Sequence, residues 1–191
     1  VKLCHAAIDM KKRLAELREE WRTAGRDELK VRMGINTGMA VVGNMGSKTR
    51  MDYTMMGDSV NLAARLEGVN KKYGTYAMIS ENTYNQAREV IEVRELDIIR
   101  VVGKTEPTKV YELLGRKGSL PDYMHEMLAK YNEGLELWRQ WEWKAARTAF
   151  KSALKIVEND GPSQTYIQRC TEFMESPPPR SWDGVYKLTT K

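Results

Sequence analysis

The chain has 191 residues, 41% of them apolar and 30% charged, with a formal net charge of +5. That length permits one or two domains with a real core. No run approaches the roughly 20 apolar residues of a membrane helix, so no direct membrane segment is expected here, and the lack of a basic tail or stripe argues against nucleic-acid binding.

Residues 3–21 carry Leu3, Ala6, Ala7, Met10, Leu14, Leu17 and Trp21 at helical spacing. The pattern predicts an amphipathic helix stopped near Gly25. The sequence opens at Val1 inside that pattern, which reads as a piece of a longer protein. Cys4 and Cys170 lie far apart and predict buried thiols in a reducing compartment; with only two histidines, a structural zinc site is not expected.

Residues 30–35 alternate, with Val31, Met33 and Ile35 on one side. Asn36-Thr37-Gly38 reads as a tight turn into a second strand over 39–43, so a β-hairpin is predicted there. Residues 44–50 read as a polar loop. A short extended run, 52–56, then turns at Gly57-Asp58. Ser59 is predicted as the N-cap of a helix over 60–67, with Asp58 competing for that role. Leu62, Leu66 and Val69 mark its apolar face. Asn61 and Arg65 are four apart and share a side. A guanidinium fork one turn from an amide suits a polyanionic substrate, the fork gripping phosphate oxygens and the amide steadying a nearby sugar or attacking oxygen.

Residues 70–74 read as a charged turn and 77–79 as a strand. Ser80 is predicted to cap a helix over 81–88. Two short strands, 90–96 and 98–102, are expected around Asp97. A turn containing Pro107 follows, then a final strand over 108–114. Helices and strands in this order imply an α/β sandwich with a mostly antiparallel sheet. After a linker at 115–122 the composition turns helical, with predicted helices over 123–141, 144–158 and 162–173. Ala146, Phe150 and Ala153 resemble the second helix of a tetratricopeptide repeat. A bracing appendage is the plain reading of this tail.

GDSVNLAARLE, preceded by DYT and by GINTG and GNMGS, resembles the signature of class III adenylate/guanylate cyclases. The resemblance covers 1–115 and implies an α/β, ferredoxin-like nucleotide cyclase fold, incomplete because its first half is absent, followed by a small all-α helical module at 122–191. It implies a head-to-tail dimer converting ATP or GTP to the cyclic nucleotide and pyrophosphate with two Mg2+ or Mn2+. One subunit would give the metal carboxylates and the other the Asn and Arg. Asn61 then matches the residue orienting the ribose, and Arg65 the one stabilising phosphate charge. Thr54 matches a base-selecting position and favours ATP over GTP. The phosphate-binding Lys of the family falls on Val102, and Lys104 is a weak substitute. The metal-binding aspartates match nothing in this chain, so no metal is expected to be held by it alone; Asp52 and Asp58 belong to later motifs.

The expectation is therefore the Asn/Arg half of an adenylate cyclase, inactive alone. Its partner would be a second copy or a cyclase half supplying aspartates. The helical tail resembles those of some bacterial multidomain cyclases, which implies a parent in signal transduction on the cytoplasmic side and is compatible with its anchoring in the inner membrane. Guanylate cyclase, a non-catalytic cyclase-like regulatory domain and a helical adaptor are the alternatives. Lacking its first half, the sheet is expected to expose edges and apolar surface.

Overall fold

The computed structural model describes residues 1–100 and 107–185. Helix α1 (Lys2–Thr23) precedes strand β1 (Met33–Ile35). A ribbon of β2 (Val41–Ser47) and β3 (Arg50–Met56) leads into α2 (Asp58–Tyr73). Strand β4 (Ala77–Ser80), α3 (Glu81–Ala87), β5 (Ile91–Ile99) and β6 (Thr108–Arg116) follow. The chain then runs into α4 (Asp122–Arg139), α5 (Trp143–Ile156) and α6 (Gly161–Glu175).

Four strands form one sheet in the order β1-β4-β6-β5. The β1/β4 pair is parallel, while β4/β6 and β5/β6 are antiparallel. Alternation along β4 divides the core. Ala77 and Ile79 face Cys4 and Ala7 of α1 and Ala87 of α3. Met78 faces the other way and packs with Leu62, Leu66, Val69 and Tyr73 of α2. The result is a partial α/β nucleotide-cyclase fold with an additional all-α module.

Several local expectations are corrected. Strand β1 does not pair with the strand that follows it. Its parallel partner is β4, and the hairpin forms instead between β2 and β3, with Ser47 opposite Arg50. The residues read as a polar loop therefore complete β2. The reason lies in Gly34 and Gly38: a Cβ on Gly34 would overlap the Ala63 carbonyl and the Glu67 amide, and one on Gly38 would overlap the Ser59 hydroxyl. Both glycines serve the close approach of α2 to the segment around β1.

Helix α2 begins two residues earlier and runs further than expected. Its N-cap is Gly57 at φ 137°, with no side-chain cap, so Ser59 lies inside the first turn facing Gly38. The predicted turn at 70–74 is helix as far as Tyr73, ended by Gly74 in the left-handed region. Asn70 is fully buried there. Its amide donates to the carbonyls of Met33 (3.0 Å) and Leu66 (2.9 Å), and its oxygen accepts from Thr75 (2.9 Å). The Ser80 cap is present as expected, its hydroxyl accepting from the Thr83 amide.

Strand β5 is continuous through Asp97, with a register irregularity between Glu95 and Asp97. An aspartate in mid-strand reads as a break, yet this one is buried and satisfied. Its Oδ1 accepts from the Ile98 amide at 2.7 Å, and its Oδ2 accepts from Tyr73 and Arg169. In the tail, α4 stops at Arg139, and Trp141 adopts φ 65° in the turn to α5. Met127, Tyr131, Leu135, Trp138, Phe150 and Tyr166 build the tail's own core.

Cys170 is wholly buried in that core, and burial pushes its thiol up to about 12. It stays protonated at pH 8, where the thiolate is the reactive form. Titration with a disulfide thiol reagent at that pH should label it only after denaturant is added.

Candidate functional site

Helix α2 is fastened along its whole length, and the face left outward carries Asn61 and Arg65. At its start, the Asn36 amide donates to the Ser59 carbonyl at 3.0 Å, while the Ser80 hydroxyl donates to Asn36 Oδ1 at 2.6 Å. In its middle, Gly34 admits its backbone, and Arg32 Nε pairs with Glu67 at 3.0 Å. Near its end, Asn70 ties it to β1. Leu62, Leu66, Val69 and Tyr73 are buried, so Asn61, Ala64, Arg65 and Gly68 are turned to the surface.

Asn61 and Arg65 are therefore brought together as expected: one turn apart, both exposed, on a helix anchored on the opposite side. Thr54 lies in β3, opposite Gly43, and is also exposed; β3 runs on into α2 through the Gly57 turn. Lys104 and Val102 lie outside the described residues. Asp52 is on β3, ion-paired with Arg50 at 3.8 Å, and Asp58 begins α2. Among the described residues, no group of three or more His, Cys, Asp or Glu side chains is placed to hold a metal ion. The described residues offer no ligand set for a metal pair.

The ribbon beside α2 is open. Every residue of β3 is exposed, and Val41, Val42, Met51, Tyr53, Met55 and Met56 present apolar surface. A cavity of about 390 Å³ lies elsewhere, where β5 meets the tail. Asp97, Trp138, Trp141, Tyr166 and Trp182 are among its lining residues, and none of Asn61, Arg65 or Thr54 is.

Sequence reasoning missed the residues that hold α2 in place. Asn70 falls on the buried face, four residues after Leu66, and helical spacing carried past Glu67 would have found it. Asp97, Arg169 and Thr165 meet only through tertiary packing.

An anchored helix thus presents an amide and a guanidinium beside a partial α/β sheet. Residues 1–115 match the model of the adenylate and guanylate cyclase catalytic domain, and the chain belongs to that family. It is 39% identical over 112 residues to adenylate cyclase 1 of Rhizobium meliloti, an alignment covering 59% of this chain and 17% of that protein. Among solved structures, the adenylyl cyclase CyaB of P. aeruginosa superposes with a TM-score of 0.51 at 39% identity, covering 60% of this chain and 58% of that one. The guanylyl cyclase Cya2 gives a TM-score of 0.52 at 29% identity over 60% of this chain and 57% of that one. Relatives of both substrate types thus share the domain, and the chain spans well under two thirds of their length. No described helix is long and apolar enough to cross a membrane.

Proposed function

We propose that this chain is the Asn/Arg half of a class III adenylate cyclase. In the reaction, the ribose 3′-oxygen of ATP bonds to the α-phosphorus, the bond from that phosphorus to the bridging oxygen breaks, and pyrophosphate leaves. The 3′-hydroxyl gives up its proton to solvent water. Asn61 holds the ribose so that this oxygen lies in line with the leaving group. Arg65 donates to the phosphate oxygens on which charge accumulates. The carrying observation is the outward pairing of Asn61 and Arg65 on an otherwise fastened α2. Thr54 reads the adenine edge. Lys104 is the weaker phosphate contact proposed from the sequence.

Metal chemistry in this family would come with two Mg2+ or Mn2+. The carboxylates for it belong to a second cyclase half or a second copy of the domain, and this chain alone is inactive. The exposed apolar ribbon supports that reading, because a partner's strands would cover it. The tail is proposed to be tetratricopeptide-like: α4 and α5 are joined by a short turn, and Gly134 lies against the Phe150 ring. Membership of the cyclase family supports a role for the parent in signal transduction.

Product analysis of the assembled enzyme with Mn-ATP and Mn-GTP tests substrate choice. Cyclic AMP should dominate. Cyclic GMP in excess would move the reading to guanylate cyclase, which the likeness to Cya2 keeps as the second reading.

A further inference from the structure

The tail is fastened to the sheet by buried charge. Arg94 of β5 pairs with Glu112 of β6 at 2.5 Å and with Asp160 at 2.6 Å, and its guanidinium lies 4.9 Å from the Tyr131 ring centre. Asp160 is also the N-cap of α6, accepting from the Ser163 amide at 3.0 Å. Glu112 stands opposite both Arg94 and Met78 in the register. Met78 packs against α2, so the tail docks on the same sheet face as α2.

One stripe of α6 then reaches the far end of α2. Gly161, Thr165 and Arg169 are spaced four apart and share a helix face. Gly161 sits so close that a Cβ would overlap the Tyr73 carbonyl. The Thr165 hydroxyl lies 3.1 Å from the Lys72 carbonyl and 3.0 Å from that of Gly161, so its one hydrogen is shared between its own helix and an acceptor left open at the C-terminus of α2. Arg169 donates to Asp97 Oδ2 at 2.7 Å and to the Tyr73 hydroxyl at 3.0 Å, and Tyr73 donates to Asp97 at 2.5 Å. Arg169, Tyr73 and Asp97 are all buried.

We propose that this stripe is a clamp on α2, and that Thr165, Arg169, Tyr73 and Asp97 are positioning residues for Asn61 and Arg65. The tail is then part of the catalytic apparatus, acting from the opposite end of the helix. The inference rests on the cyclase reading of Asn61 and Arg65. Tyr73 lies about 18 Å along the axis from Asn61 at 1.5 Å per residue. A pivot of about 3° at the clamped end displaces Asn61 by about 1 Å, and a misplacement of that size is enough to cost about 100-fold in an aligned transfer. The buried ion pairs supply geometry, since such pairs add little net stability over apolar packing.

The test uses the assembled enzyme carrying Tyr73→Phe or Thr165→Val, with Phe150→Leu as a variant that loosens the tail core, where Phe150 stacks on Tyr166, without altering a clamp side chain. Turnover, KM, thermal midpoint and hydrogen exchange of the 58–67 amides are read on each. Tyr73→Phe and Thr165→Val should lower kcat roughly 5–20-fold, hold KM within about twofold and speed exchange over 58–67. Phe150→Leu should lower the midpoint while keeping kcat within about twofold below that midpoint. Unchanged kcat and exchange in the first two variants, or a kcat loss that follows the midpoint alike in all three, overturns the clamp. Failure of the cyclase reading has a different signature: wild-type turnover that Asn61→Ala leaves intact. In that event the exchange data alone decide whether α6 holds α2, faster exchange supporting it and unchanged exchange overturning it.

Discussion

Asn61→Ala in the assembled enzyme should reduce kcat by about 10²–10³-fold with KM changed little, the size seen when one preorganised donor to a transition state is lost. The variant should fold normally. Asn61 is exposed, it contributes nothing to the Leu62, Leu66 and Val69 face, and alanine is the better helix former. Arg65→Ala should cost a similar factor through the phosphates. Arg65→Lys should recover only part of it, because an ammonium cannot present the planar fork. Steady-state kinetics checked beside circular dichroism separate this outcome from misfolding. Equal activity in wild type and Asn61→Ala would remove the residue from the mechanism.

Arg94→Met should be the most damaging substitution to stability. The side chain is 3% exposed and lies between Glu112 and Asp160, themselves largely buried at 12% and 6%. Methionine fills similar space but strands two carboxylates without their cation. Breaking a buried pair from one side costs about 3–5 kcal/mol. At about 2–4 °C per kcal/mol for a chain of this size, the thermal midpoint should fall by roughly 10 °C. The loss is predicted to reach the cyclase unit as well as the tail, because Asp160 starts the helix that grips α2. Replacing Arg94, Glu112 and Asp160 together by apolar residues should recover much of the midpoint, since the cost lies in the orphaned charges. Calorimetry on the single and triple variants measures both effects.

Helix α2, its apolar face and the Asn61/Arg65 pair were legible because helical periodicity is local and strong there. So were α1, α3, β6 and the Ser80 cap. The pairing of β1 was not. Residues 30–43 satisfy every hairpin cue, yet hairpin cues say nothing of α2 pressing on Gly34 and Gly38, which sends the following chain into a separate ribbon. Asp97 misled for a related reason. A carboxylate in a strand reads as a break until its partners are known, and those partners are Tyr73, on a helix read as ending too early, and Arg169, on a tail read as a separate module. Within the site, the outward pair was visible in the sequence, but the contacts that orient it arise from long-range packing. The apolar exposure of β2 and β3 follows the expected opening of the sheet, although it falls on a ribbon outside the four-stranded sheet.

We propose that this chain supplies the Asn/Arg side of a cyclase site whose metal-binding side comes from elsewhere. The most direct measurement is cyclic AMP formation from Mn-ATP by the 191-residue chain alone, and again when it is combined with a cyclase half carrying the metal-binding carboxylates. The chain alone should give no turnover, and the combination should give turnover that is lost with Asn61→Ala. Sustained turnover by the chain alone that disappears with Asn61→Ala would contradict the shared site, and an inert combination would contradict the cyclase role itself.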